Sequence, residues 1–354
     1  HCSRPAPRAV RSGGTVTLAR SPVRYGWLIV MLVILLVSSS VVSLAFGPAS
    51  VPLTHVIGIV AQQLGIDWGP ALSKNQVHIV WLIRAPRVLL GALVGAGLAL
   101  VGTALQSVTR NPLADPHLLG VSAGAALGAV LVMLYVGDFV GVLSLPLAAF
   151  AGAIGSMLLV IGVARRSGRL ESDRLLLAGV AVSFVLMAVV NVLLYTGDQH
   201  AAASVVFWML GGLGAARWEV IWLPALCVLL GLCALQVMGR GLNALMSGEQ
   251  TAISLGVCGR RLRLQVFICT SLLTGVLVSL SGAIGFVGLM VPHVARLLVG
   301  ADNRRLMPVS ALLGGVFLVW VDVAARTLIA PQDLPIGIAT AALGGVFFML
   351  LLKR

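Results

Sequence analysis

Charge is scarce in this chain and lysine is nearly absent: among 354 residues only Lys74 and Lys353 occur. Neither completes a GxxxxGK[ST] pattern, so there is no Walker-A lysine and no P-loop ATP hydrolysis. Of the eleven acidic residues only Asp322 falls clearly inside an apolar run. Ion-coupled carriers usually hold carboxylates at membrane depth, which counts against that class. HExxH is missing, as is a DxxxD cluster within an apolar run. That disfavours a metalloprotease and a prenyl-transferring membrane enzyme. The five cysteines form no CxxC pair, so nothing points to a disulfide framework or a metal site.

What remains is lipid-soluble. Hydrophobic residues make up 59% of the chain and charged residues 10%, with a mean hydropathy of +1.06. Continuous apolar runs of about 20 residues cross roughly 30 Å of hydrocarbon as helices, whereas barrel strands would alternate. The expected fold class is an all-α polytopic membrane protein of about ten transmembrane helices. They are placed at 26–46, 87–106, 117–136, 145–164, 175–195, 218–238, 262–282, 284–300, 306–329 and 336–352. The apolar stretch 204–214 is too short to span and suggests a surface or re-entrant helix.

Residues 1–25 are rich in Arg, Pro and Ser and are expected to form a disordered cytoplasmic tail ahead of one transmembrane domain, 26–354. The length of the first apolar run favours a retained helix over a cleaved signal. With the N-terminus inside, eighteen of the 24 basic residues fall in cytoplasmic segments. Lys74, Arg84, Arg87 and Arg217 fall outside, and Arg296 and Arg326 lie within spans. This bias fixes the orientation and accounts for the net charge of +13 without nucleic acid.

Two apolar segments are broken by residues that are costly there: Asn111-Pro-Leu-Ala-Asp-Pro-His-Leu-Leu-Gly120, and Gly282 to Arg296 with its central Pro292-His293. A shift of 180 positions lays Pro112 on Pro292, Gly95 on Gly275, Gly102 on Gly282 and Gly120 on Gly300. Span 87–106 runs inward and span 262–282 outward, so the repeat is an inverted one, an architecture that places a pathway between its halves. Chance matching of helix-packing glycines is the competing reading. Glycines at 91, 95 and 97, and at 120, 124 and 128, have the spacing that lets helix backbones approach closely. His117 and His293 read as structural histidines, and Met133, Met157, Met187 and Met209 as packing.

Those segments occur in order with Ile83-Arg-Ala-Pro-Arg87, Leu119-Gly-Val-Ser-Ala-Gly-Ala125, Arg174-Leu-Leu-Leu-Ala-Gly-Val180, Val206 to Gly214 and Leu334-Pro-Ile-Gly-Ile-Ala-Thr340. Together they resemble the FecCD-like family of ABC-importer permeases for iron–siderophore, haem and vitamin B12 uptake. The resemblance runs from about residue 26 to the C-terminus. It implies a vitamin-B12-importer-permease-like fold and a homodimer around a central pathway. It also implies two ATP-binding cassette ATPase subunits, a periplasmic substrate-binding protein and surrounding lipid. The expected location is the bacterial inner membrane, with both termini cytoplasmic. No cofactor is expected on this chain, ATP and Mg being held by the ATPase. The implied function is inward movement of an iron chelate (siderophore or haem) or cobalamin by alternating access. An ion-coupled secondary transporter is the alternative.

The resemblance also carries residue roles. Arg84, Arg87 and Arg326 match arginines that hold acidic residues of the binding protein, a task suited to the guanidinium fork. Interfacial snorkelling is the plainer reading, with an i,i+4 pair to Asp322 a second one for Arg326. Asn111 and Leu113, with Ser172 and Asp173, match loops that close the pathway on the cytoplasmic side; Asn-Pro as a mere helix stop is the plainer reading. About 241–257 resembles two short coupling helices that seat in the ATPase. Leu242, Leu245, Met246, Ala252 and Leu255 are their apolar positions, Gly248 the turn, Glu249 the second helix start and Gly256 its end. A surface amphipathic helix is the competing reading.

Overall fold

A computed structural model describes residues 22–66, 73–166 and 172–352, so the tail expected at 1–25 lies almost wholly outside the described residues. All regular structure among the described residues is helical. The chain runs through α1 (Pro22–Ser43), α2 (Leu53–Gln63), α3 (Lys74–Val77), α4 (Ala85–Thr109), α5 (Val121–Leu131), α6 (Ser144–Arg166) and α7 (Ser172–Thr196). It continues with α8 (Gln199–Met209), α9 (Trp218–Met246), α10 (Glu249–Ser254), α11 (Gly259–Ser281), α12 (Val287–Val299), α13 (Asn303–Thr327) and α14 (Ile336–Leu352). Among the described residues seven helices are long and apolar enough to cross a membrane, and α5, α12 and α14 belong to shorter apolar helices. These correspond one to one with the ten expected spans, and the short stretch near 204–214 is covered largely by α8.

Two boundaries move. A π-helical turn, His78–Arg84, fuses α3 to α4, so that Lys74–Thr109 is one helix of 36 residues. At 1.5 Å per residue it is about 54 Å long, well past the expected start at 87. Lys74, His78, Arg84 and Arg87 mask the extension in hydropathy. At the other end of the fold, α9 runs through Met246 without a break.

The helices touch backbone to backbone. A Cβ added to Gly95 would stand 2.1 Å from the Gly314 carbonyl oxygen on α13, and one on Gly102 would stand 2.0 Å from that of Gly288 on α12. Gly124 and Gly152 bring α5 and α6 equally close. With no hydrophobic force between helices in lipid, such contacts supply the dispersion that holds them together.

The repeat is present in the packing. Helix α4 packs on α13 and α12, as α11 packs on α6 and α5. The lower half of α4 (Leu105, Val108) lies beside the start of α11 (Arg263, Phe267), while Gly97 meets Leu277 near its end, so the two helices are antiparallel. Gly95 faces α13 and Gly275 faces Ala153 and Phe150 of α6, which keeps that pair of the 180-residue shift. The Pro pair fails. Pro112 lies in an exposed turn after α4, while Pro292 is buried inside α12; Gly120 precedes α5, while Gly300 follows α12. Loop lengths differ between the halves, so one constant offset cannot survive past the first helix.

Charges separate to opposite ends. At one end Arg305 lies 5.7 Å over the Tyr25 ring, Arg304 abuts Gly239, and Glu249 pairs with Arg263. At the other end the Trp218 indole N–H donates to the Trp81 carbonyl (2.8 Å), with the rings 4.9 Å apart. Gly95→Val should separate α4 from α13, costing about 1–3 kcal/mol or more as overpacking. We expect a lower thermal unfolding midpoint in detergent, while Gly155→Ala, with no atom within 4 Å of the new Cβ, should leave it in place.

Candidate functional site

Three constellations carry the polar groups of the described structure. The first lies at the Trp81–Trp218 end. Asp322 of α13 is 1% exposed; the Arg87 Nε donates to its Oδ1 (2.9 Å), and the Arg326 Nε lies 2.9 Å from its Oδ2. The second contact is electrostatic rather than an aligned hydrogen bond, because that N–H points at the Asp322 backbone carbonyl, 3.3 Å away. Arg87 also donates to Asp333, in the α13–α14 connection, at 2.5 Å. Arg84, 5% exposed, donates to the carbonyls of Leu44 and Ala49. Arg326 donates to those of Phe46 (3.1 Å) and Ser43 (3.4 Å). The π-helical turn that ends at Arg84 widens the helix there and accompanies its inward aim.

Of the three arginines read as a docking set, then, Arg84 and Arg326 are buried and already occupied. Only Arg87 reaches toward an exposed partner, Asp333. Sequence reading found the Asp322–Arg326 pair from its spacing and missed Asp333, which is distant in sequence and sits in a loop.

The second constellation is at the opposite end. Ser107 donates to Asn303 Oδ1 (2.6 Å), Asn303 to Asn243 Oδ1 (2.9 Å) and Asn243 to Asp302 Oδ1 (2.7 Å), tying α4, α9 and α13 together. Beside it, α10 follows α9 after a turn at Gly248, whose φ of 125° suits glycine. Two short helices were expected over 241–257; instead Leu242 and Leu245 are buried within α9, and Ala252 is buried under α10. The exposed apolar residues are Met246, Leu255 and Ile253, the last of which sequence reading missed. Gly256 ends α10 in the left-handed region.

Glu249 is held below the usual glutamate range, first by the hydrogen bond from Arg263 and then by that residue's charge. The pair's stabilisation is therefore fully present above the unfolded-state value of 4.5 and lost as the pH falls through the lower folded value.

The third constellation joins the two Pro- and Gly-punctuated segments. After α4 the chain turns back: Asn111 Oδ1 accepts from Leu113 N–H (2.9 Å), and Pro116 reaches Gly288 at the start of α12. Gly288 lies beside Gly102, seven residues before the end of α4 and so about 10 Å into the bundle. Helices α5 and α12 thus begin inside the bundle and not at its surface. Phe286, with φ of 67°, makes the turn into α12, a costly conformation for a bulky residue. Among the gate residues read from sequence, Asn111 and Leu113 are exposed; α7 begins at Ser172, and the side chains of Ser172 and Asp173 lie outside the described ones.

With that geometry in view, the model of the FecCD transport family matches residues 30–354. The chain belongs to this family. The hemin transport system permease protein HmuU of Yersinia pestis is 38% identical over 333 residues, covering 93% of this chain and 95% of its own. The cobalamin import system permease protein BtuC of Halobacterium salinarum is 40% identical over 312 residues, covering 85% and 82%. A solved metal-chelate-type ABC transporter in an inward-facing conformation is 32% identical with a TM-score of 0.81, covering 93% of this chain and 99% of that one. This chain is therefore a permease subunit of ABC-importer type, and the all-helical fold read from sequence stands.

Asp322→Asn leaves two buried guanidinium groups facing a neutral amide, and should cost about 3–5 kcal/mol. Asp333→Asn, at a more exposed partner, should cost about 0–1 kcal/mol. Thermal unfolding of the purified permease should rank them in that order. Glu249→Gln should speed amide exchange across α10 at neutral pH, toward the intrinsic-rate-corrected level that wild type reaches only below its acid window.

Proposed function

We propose that this permease forms a homodimer that moves an iron chelate, from a siderophore or haem, or else cobalamin, into the cytoplasm. A separate pair of ATPase subunits drives it, and a periplasmic binding protein delivers the cargo. The observation that carries the reading is the pair of helices, α5 and α12, that start inside the bundle after breaks in the chain, with Pro116 of a short 3-10 turn against Gly288 in the first turn of α12. Irregular backbone is tolerated at membrane depth where protein buries it or where it lines a cavity. Discontinuous helices of this kind mark transport sites between repeats. One cleft beside these breaks is lined in part by Ala341 of α14 and another by Val180, Ser183, Phe184 and Met187 of α7, and a second copy would close them.

The basic end, with exposed Met246 at the end of α9 and exposed Ile253 and Leu255 at the end of α10, is the surface we assign to the ATPase on the cytoplasmic side. Charge distribution supports that orientation through the positive-inside rule. At the far end Arg87 is the one docking arginine with an exchangeable partner: an acid on the binding protein can take the place of Asp333. ATP and Mg belong to the ATPase in this scheme, and no cofactor is assigned to this chain.

The test is uptake by proteoliposomes holding permease, ATPase and binding protein, supplied in turn with a ferric hydroxamate, haemin and cyanocobalamin. One cargo should enter on ATP addition, and uptake should persist when proton and sodium gradients are collapsed. Uptake that stops with the gradient and ignores ATP would establish a secondary transporter instead. Ile253→Asp with Leu255→Asp should release the ATPase in a pull-down while leaving the binding protein docked; Arg87→Gln, which keeps a donor toward Asp322, should do the reverse. ATPase retention by the first variant would remove α10 from the contact.

A further inference from the structure

Three buried polar atoms fall within eight residues at the break between α4 and α5, and none has a hydrogen-bond partner: Asp115 Oδ2, His117 Nε2 and Ser122 Oγ. Asp115 is 7% exposed and Ser122 9%. Native structures satisfy nearly all such atoms, so a cluster of exceptions calls for a missing partner. Ordinary roles are already taken. The other Asp115 oxygen accepts from the His117 backbone N–H (2.8 Å), which caps the short turn Pro116–Leu119.

The cluster lies where clefts meet. On one side a cleft of about 480 Å³ is lined by Leu113, Asp115, Phe286 and Leu289. On the other, clefts of about 230 and 270 Å³ are lined by Ser122, Ala126, Ser183, Met187 and Trp208. His117 borders all three. Its ring lies against Gly285, in the break before α12, where a Cβ would come within 3.5 Å of Nε2. The imidazole is thus the partition between a cleft on the basic-end side and the clefts toward α8. The left-handed Phe286 is next to it in the same break.

We propose that His117 is the cargo-contacting partition of the pathway, and that Asp115 and Ser122 are the polar stations on its two sides. The inference rests on the import reading and deepens it. The ligand chemistry is the hydrogen-bonding rim of a metal chelate, its amide N–H and hydroxyl donors toward Asp115 and its amide, hydroxyl or carboxylate oxygens toward Ser122 and His117. As the rim passes, its groups take up the hydrogen bonds that these three atoms lack. The imidazole swings off Gly285, and the two clefts become one. Apart from Ser183 the rest of the lining is mainly apolar, so the cargo is held at few points and released readily.

Two measurements test this. In a variant with the native cysteines replaced by serine, His117→Cys in proteoliposomes is reacted with a charged methanethiosulfonate. Labelling should be at least roughly tenfold faster than at Ala153→Cys, whose site is closed by helix packing. Labelling as slow as that control overturns the proposal. If His117→Cys does not fold, Ser122→Cys reads the same lining by the same criterion. In the full transporter, His117→Ala should change the ratio of uptake rates among ferric hydroxamate, haemin and cyanocobalamin by roughly five- to tenfold, the worth of one hydrogen bond. His117→Gln should restore the ratio, and the cargo most affected identifies the source of the rim. An equal loss for all three without rescue by Gln marks a structural histidine and overturns the proposal. Should wild type import none of the cargos, the import reading falls, and labelling still decides whether His117 lines a water-filled passage.

Discussion

Everything in this molecule hangs on α4 being able to approach other helices without side chains in between. Gly95 against Gly314 and Gly102 against Gly288 set α13 and α12 at backbone contact. The apolar window of α4 is 83% buried as a result, against 17% for α1. A central helix so enclosed can carry Thr103, Gln106 and Ser107 at membrane depth, because each finds a partner on a neighbour or in its own turn. It also fixes the height at which α12 begins.

The two ends of the bundle treat charge differently. At the Trp81–Trp218 end a buried carboxylate is shared between guanidinium groups, and arginines also terminate carbonyls of the α1–α2 region. Removing one partner there exposes another to an unpaired burial, so the cluster behaves as a unit. At the basic end a hydroxyl and two amides link α4, α9 and α13 and run out to the exposed Asp302 carboxylate, with the Glu249–Arg263 pair beside them partly open to solvent. One end is locked by a buried charge cluster and the other by a hydrogen-bond chain whose only carboxylate, Asp302, lies at its exposed end.

Sequence made the helix inventory legible because lipid imposes long apolar runs, and ten such runs were found with few errors. It failed where polar residues are carried by partners far away in the chain. Arg84 and Arg87 truncated α4 on paper, although Leu44, Ala49, Asp322 and Asp333 receive them in space. Continuation of α9 through Leu242 and Leu245 was hidden because an apolar run near a turn reads the same buried or exposed. The inverted repeat was visible in Gly95 and Gly275 but not in the prolines, since helices conserve spacing and loops do not. The convergence of residues 115–117 on 285–288 had no local signal; only the shared oddity of two punctuated segments hinted at it.

Helix α9 has one further mechanical meaning. Its 29 residues run unbroken from the Trp81–Trp218 contact at one end of the bundle to the turn before α10 at the other. At about 1.5 Å per residue it is a strut of some 43 Å, with its single internal proline, Pro224, near the tryptophan end. A push applied at α10 would be delivered along this strut to the opposite face, bypassing the broken helices in the middle. Force and cargo would then travel by separate routes through the same small protein.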